Sequence, residues 1–105
     1  MTRVISITLA DTNPHTLSSV LPAVPAGQIG LNKGNFVAFR ASDANSGTQS
    51  ISIGTANYAT DGFLVVTKGD PTFVMQSSVN SISLTDFTVK ASAASTILEI
   101  VICSI

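Results

Sequence analysis

The sequence predicts an all-β protein, an antiparallel β-sandwich of about eight short strands. Apolar and polar residues alternate with period two along most of the chain, and turn-forming residues interrupt this alternation about every ten residues. We find no convincing helical pattern. The chain has 105 residues, near the commonest size of one domain. We therefore interpret residues 1–105 as a single β-sandwich domain.

The stretch from Gly62 to Gln76 carries the strongest local pattern. Two runs of β-branched, aromatic and other apolar residues flank the break Lys68-Gly-Asp-Pro71. Glycine accepts a positive φ, aspartate bonds its own backbone, and proline ends a regular element. The stretch therefore predicts an antiparallel hairpin with a loop slightly longer than two residues.

In the first third of the chain, Arg3 to Leu9 alternates strictly and predicts a half-buried strand. Asn13-Pro14 favours a turn, and His15 to Leu21 is interpreted as a second short strand. The irregular passage from Pro22 to Gly30 holds two prolines and two glycines. Because loops on a rigid sandwich commonly carry binding contacts, we expect subunit contacts there.

Four further alternating segments predict the remaining strands: Phe36–Ala41, Gln49–Gly54, a segment restarting at Ile82 and Leu84, and Phe87–Ala91. The closing segment, Thr96–Ile105, is apolar on both faces. One face holds Leu98, Ile100 and Ile102, and the other holds Ile97, Val101 and Ile105. Such a strand is expected inside a stack of sheets or beneath another subunit.

The composition is 45% hydrophobic but only 10% charged, with a net charge of −1, whereas ordinary soluble domains carry about 25% charged residues. Serine and threonine must therefore supply most of the polar surface. A small protein with so few charges tends to self-associate. The composition favours a subunit of an assembly, and a monomer with a Ser/Thr-rich face is the alternative.

The sequence does not predict an enzyme. The single histidine, His15, lies in a turn, and Cys103 lies in an apolar strand without an electropositive setting. One histidine and one cysteine are too few for a structural zinc site, and no cofactor is indicated. Calcium stays open, since loop oxygens can converge; the candidates are Asp43, Asn45, Asp61, Asp70 and Asp86.

Neither nucleic acid nor a membrane is an expected partner. The five basic residues are scattered singly along the chain, whereas binding to a phosphate backbone requires many cations acting together. The longest apolar run, Ile97 to Cys103, contains Glu99 and is too short to span a bilayer.

Three sequence features follow one another from Phe36 onward. The first is Phe36–Ala41 with Ala44–Thr48 and Ile51–Gly54, the second is Asp61–Leu64 followed by Lys68–Asp70, and the third is Ser81–Val89 leading into the terminal apolar strand. In these features the chain resembles small virion proteins of tailed bacteriophages and some other viruses. Members of this family are jelly-roll modules that decorate capsids or form fibre bases.

The resemblance implies a sandwich of the jelly-roll type and a non-enzymatic structural role in the virion. It also implies homo-oligomers, with trimers favoured, bound to the major capsid protein or another virion protein. Combining this with the apolar patterns, we expect the interface to include Leu21, Pro22, Val24, Pro25, Ile97, Val101 and Ile105.

The alternative function is a carbohydrate- or cell-surface-binding module on the same fold. Sugar-binding sites usually display aromatic rings that stack on apolar ligand surfaces. This chain has no tryptophan and one tyrosine, Tyr58. A site around Tyr58 and the loop acids is what this alternative predicts.

Overall fold

The structure, a computed structural model, describes residues 2–22, 34–55, 63–70, 73–76 and 84–103. These residues form eight strands, one helical turn (α1) and one 3₁₀ turn. In chain order the elements are β1 (Thr2–Leu9), β2 (His15–Thr16), α1 (Leu17–Val20), β3 (Phe36–Ala41), β4 (Ser50–Thr55), β5 (Phe63–Thr67), β6 (Phe73–Gln76), the 3₁₀ turn (Leu84–Asp86), β7 (Phe87–Ala91) and β8 (Thr96–Cys103).

The strands form two four-stranded sheets, and every strand pair is antiparallel. The first sheet has the order β1-β8-β3-β6 and the second has the order β2-β7-β4-β5. The pairing is nested, since the first strand pairs with the eighth, the second with the seventh, the third with the sixth and the fourth with the fifth. Of the connections between successive strands, only β4–β5 stays within one sheet. The prediction of an antiparallel β-sandwich is confirmed.

The predicted hairpin between Gly62 and Gln76 is wrong. β5 pairs with β4 in the second sheet, whereas β6 pairs with β3 in the first. The turn itself forms: Gly69 has a φ of 88°, and the N–H of Asp70 donates to the carbonyl of Thr67 at 2.9 Å. Local turn chemistry reverses the chain, but it does not determine which sheet the following strand joins.

Two further segments differ from expectation. The second strand is only His15–Thr16, and Leu17–Val20 forms a helical turn that contacts β7 and the 3₁₀ turn. Leu84 belongs to the 3₁₀ turn and not to a strand. Both Leu17 and Leu84 are fully buried, so packing at this end of the sandwich overrides weak local alternation.

The core lies between the two sheets and follows the alternation read from the sequence. On the first sheet, every second residue of β1, β3 and β8 is buried. On the second sheet, the buried alternate residues are Ile51 and Ile53 of β4 and Val89 and Ala91 of β7. Phe39 is fully buried, and its ring centroid lies 5.8 Å from that of Phe87 across the core. Aromatic pairs at this separation contribute beyond the area that they bury.

The strand β8 lies between β1 and β3. Leu98, Ile100 and Ile102 are fully buried on its inner face, while its outer-face side chains are half-buried. Within one molecule β8 is an interior strand that is fully buried on its inner face alone, so it does not lie inside a stack of sheets covered on both sides. Burial of its outer face beneath another subunit stays a prediction. Ile105 lies outside the described residues.

The turn before β8 places Ser95 in the left-handed region, with a φ of 64°. Its N–H donates to the carbonyl of Leu9 at 2.8 Å, at the end of the β1–β8 ladder. An L-residue with a Cβ is disfavoured in this conformation.

Replacing Ser95 with glycine should stabilise the fold by about 0.5–1 kcal/mol, because the relief of backbone strain exceeds the added flexibility of the unfolded chain. Urea unfolding measures the change. The matched control is Ala94→Gly in the same turn, whose φ is not positive, and it should destabilise the fold. Equal destabilisation by both substitutions would contradict the strain at Ser95.

Candidate functional site

The surface that distinguishes this molecule is the outer face of the first sheet, which we define by the outward-facing residues of β1, β8 and β3. They are Thr2, Val4, Ser6 and Thr8 on β1, Ile97, Glu99, Val101 and Cys103 on β8, and Phe36, Ala38 and Arg40 on β3. The strand registers place these side chains in rows that run across the sheet.

One row is entirely apolar. Val4 pairs with Val101, and Val101 pairs with Ala38 on its other side. Val4 is 69% exposed, Val101 is half-buried and Ala38 is 6% exposed. The exposed part of this row is therefore formed by Val4 and Val101, since Ala38 is buried. Adjoining exposed apolar side chains are typical of an interaction surface, whereas single ones are ordinary.

The next row is polar and contains Ser6, Glu99 and Arg40. Nη2 of Arg40 donates to both carboxylate oxygens of Glu99 at 3.1 Å. Such a cross-strand pair of opposite charges stabilises a sheet by roughly 0.2–1 kcal/mol. The pair places polar groups at a fixed position on the outer face. Because the two charges neutralise each other, the pair gives this face no net charge.

A shallow depression lies where these two rows meet. It is lined by Ala38, Arg40, Glu99 and Val101 and has a volume of about 200 Å³. Pockets for small organic ligands usually measure about 300–1,000 Å³. The depression is better suited to receiving a side chain of a partner protein than to enclosing a metabolite.

The outer face of the second sheet is chemically different. Its described side chains include Ser50, Ser52, Thr67 and Lys90, which are half-buried or exposed, together with Val65, which is 46% exposed. Val65 pairs with Ser52, and Ser52 pairs with Lys90. Val65 is the one apolar side chain among these described positions, and a single exposed valine among polar neighbours requires no partner. The described parts of the two outer faces are therefore not equivalent.

The expected interface residues lie in different parts of the structure. Ile97 and Val101 lie half-buried on the outer face of the first sheet. Leu21 follows α1 and packs against the core, and Pro22 beside it is exposed. Val24, Pro25 and Ile105 lie outside the described residues. The outer-face residues Val4 and Phe36 were not predicted, although the alternation in their strands placed both opposite the core-facing residues.

A buried asparagine, also not predicted, ties the loop after β3 to the start of β8. Asn45 is 3% exposed. Its amide donates to the carbonyl of Ile97 at 2.9 Å, and its side-chain oxygen accepts from the N–H of Ile97 at 2.8 Å. The sequence signal, Asn45-Ser46-Gly47, indicates a loop but not a partner 52 positions away. Asn45 therefore serves the fold, since both groups of its side-chain amide bond the backbone of Ile97.

The other candidate calcium ligands do not converge in the part of the chain that the structure describes. Asp43 is exposed, and Oδ2 of Asp70 accepts from the N–H of Thr67 at 2.7 Å. Asp61 and the side chain of Asp86 lie outside the described residues. Among the described residues, no group of three His, Cys, Asp or Glu side chains could hold a metal ion.

The two candidate reactive residues have ordinary structural surroundings. Nε2 of His15 lies 2.8 Å from Oδ1 of Asp11, four positions earlier. Sγ of Cys103 is half-buried and lies 3.5 Å from Oγ1 of Thr2. A catalytic triad would require a nucleophile bonded to the imidazole, whereas His15 contacts the carboxylate of Asp11. Tyr58, on which the carbohydrate alternative depends, lies outside the described residues.

Comparison with known proteins identifies no relative: no family model matches the chain, and no significant match is found among curated proteins or solved structures. Within the described residues, no helix is long and apolar enough to cross a bilayer.

Replacing Asn45 with alanine should destabilise the fold by about 1–3 kcal/mol, because the N–H of Ile97 loses its acceptor and the C=O of Ile97 keeps only the bond from the N–H of Ser42. Chemical unfolding measures this change. The control is Asp43→Ala in the same loop, where the side chain is exposed and little change is expected. Equal effects of the two substitutions would show that Asn45 does not hold the loop.

The pKa of Asp11 is held below its ordinary value, first by the hydrogen bond with His15 and next by the bond from the N–H of Asn13. The carboxylate therefore stabilises the fold above about pH 4, and this contribution is lost as the pH falls through the lowered pKa. A carboxyl-carbon NMR titration should show the low pKa, and His15→Ala should raise it. An unchanged pKa in that variant would contradict the assigned cause.

Proposed function

We propose that this protein is a structural subunit of a virion, which decorates or cements a capsid by binding copies of itself and a shell protein. The single observation that carries the proposal is the outer face of the first sheet. It presents a continuous apolar row beside one neutralised ion pair, in a chain with only 10% charged residues. Burial, and not chemistry, is the mechanism that such a surface supports.

The strand order supports the assignment to the jelly-roll type. Two four-stranded antiparallel sheets with nested pairing are the arrangement expected when a ribbon of eight strands is rolled into a sandwich. Jelly rolls occur in viral capsid proteins, and also in lectins and cupins. Because one fold hosts many functions, the viral assignment depends further on the resemblance noted for Phe36–Val89.

The mode of binding follows from the geometry of the outer face. Val101 lies on a central strand, between Val4 and Ala38, so a partner seated there would cover the middle of the sheet. The depression beside Val101 would receive a partner side chain, and the pair Arg40–Glu99 would lie next to it. A stable interface buries about 1,600 Å² in total, and repeating it around a symmetry axis multiplies the stabilisation. The proposed oligomer is a trimer.

Replacing Val101 with aspartate should dissociate the assembly while leaving a folded β-protein. The new carboxylate would lie in the middle of the contact, on the same face of β8 as Glu99, and a charge buried without a partner is strongly unfavourable. Sedimentation velocity should show a smaller particle, and circular dichroism should show an unchanged β spectrum.

The matched control is Ser52→Asp, which adds the same charge to the polar outer face of the second sheet and should leave the particle size unchanged. An unaltered sedimentation coefficient for Val101→Asp would show that this face is not the interface. Dissociation by both substitutions would indicate a general effect of charge and would equally count against it.

A further inference from the structure

The four edges of the two sheets differ greatly in length. β1 and β6 are the edge strands of the first sheet, and β2 and β5 are those of the second. β2 has two residues, β6 four and β5 five, whereas β1 has eight and pairs with β8 along its whole length. Short edge strands are a common protection against edge-to-edge association. Among the described strands, β1 alone is a long, regular edge.

The direction of the backbone groups on β1 follows from hydrogen bonds on the far side of β8. The N–H of Ser42 donates to the carbonyl of Ile97 at 3.1 Å, in continuation of the β3–β8 register. Ile97 therefore directs its backbone groups toward β3, and the alternate residues, beginning with Thr96 and Leu98, direct theirs toward β1. The partners of these alternate residues on β1 include Leu9 and Ile7.

The remaining residues of β1, namely Thr2, Val4, Ser6 and Thr8, consequently direct both N–H and C=O away from β8. The same four residues carry the exposed side chains of this strand. None of them is charged and none is proline. Since backbone polar groups on a sheet edge form a template for another extended strand, the occupant that this edge fits is a β-strand.

We propose that β1 pairs antiparallel with β1 of a second copy of this chain, so that the first sheets of two molecules join into one continuous sheet. A two-fold axis perpendicular to the sheet preserves the faces, so the outer faces of both copies lie on the same side. When the axis passes through the pair formed by Ile5 and its copy, Thr2 lies opposite Thr8 and Val4 lies opposite Ser6. All four residues whose N–H and C=O point away from β8 then form hydrogen bonds with the other copy.

The sequence of β1 is compatible with this self-pairing. The residues that meet on the outer side are threonine with threonine and valine with serine, so no like charges meet. Ile5 meets its own copy on the inner side. The single charged residue, Arg3, lies on the inner face and meets Ile7 of the other copy. Its charge is the feature of β1 that works against edge pairing, and it lies near one end of the strand.

This contact is separate from the one on the outer face, and it holds whether or not a shell protein binds there. The outer-face contact covers side chains on the central strand, whereas the edge contact uses the backbone of β1. The two are distinguished by combining substitutions: Val101→Asp disrupts the first contact and leaves the backbone of β1 intact, and Ser6→Pro is then compared with Ser6→Ala, which changes the same outer-face side chain but keeps the backbone N–H.

The test is the mass of the full chain by sedimentation equilibrium in the Val101→Asp background. We expect a dimer that becomes a monomer when Ser6→Pro is added, since proline removes an N–H that points away from β8 and therefore takes no part in the β1–β8 ladder. Ser6→Ala, which keeps that N–H, should leave the dimer intact. A monomer before Ser6→Pro is added, or a dimer that persists after it, would overturn the proposal.

A second measurement does not require the proline variant to fold. In a Cys103→Ser background, Val4→Cys and Ser6→Cys are purified separately and then mixed under oxidising conditions. Residues opposite each other in a hydrogen-bonded antiparallel pair have Cα atoms about 5.5 Å apart, within reach of a disulfide. The mixture should form a cross-linked dimer, and neither variant should do so alone.

The control for cross-linking is Val65→Cys mixed with Ser6→Cys, because Val65 is also an exposed valine but lies on the second sheet. Cross-linking of the test mixture at no more than the control level would overturn the pairing. Cross-linking of Ser6→Cys by itself would show a two-fold axis at Ser6 and would overturn the proposed register.

Discussion

The structure depends above all on the position of β8 between β1 and β3. Its inner face contributes fully buried leucine and isoleucine side chains to the core, and its backbone bonds to a strand on each side. Asn45 holds Ile97 by both of its backbone groups, which fixes the point where the strand begins. Because side chains alternate between faces, a shift of one residue in this register would exchange the core face of the first sheet with its outer face.

The same register creates the surface on which the proposed function depends. It aligns Val4, Val101 and Ala38 in one row and brings Arg40 to Glu99 in the next. These residues come from three segments that are far apart in the chain. The outer face is thus a product of the same hydrogen-bonded ladder that organises the core, and stability and the proposed binding share one structural cause.

The two contacts that we propose, on the face and along the edge of the first sheet, differ in the interactions that would hold them. Contact on the face removes apolar side chains from water and is insensitive to the exact direction of the backbone. Contact along the edge is made by N–H and C=O groups and is therefore strict in register and symmetry. A protein with few charges has few electrostatic contacts that could select one orientation of its partner. The directional backbone contact along the edge would supply this orientational specificity, which the apolar face lacks.

The sequence by itself determined the fold class and the core face of most strands. Period-two alternation in Arg3–Leu9 and Phe36–Ala41 reports burial on one side of a strand, which is a local property. It failed at Leu17 and Leu84, where a helical turn and a 3₁₀ turn bury single leucines without any alternation. It also identified Ile97 and Val101 as outward apolar residues, since their positions follow from the same period.

Only the tertiary structure decided which strands are neighbours. The turn at Lys68-Gly-Asp70 was read correctly as a turn, yet β5 and β6 belong to different sheets, because turn residues specify a reversal and not a partner. The contacts of Asn45 with Ile97 and of Arg40 with Glu99 span more than fifty positions, and nothing local encodes them. The order of the strands depends on how all of them pack together in the core. It is therefore set when the two sheets close over the core, and not by any one segment.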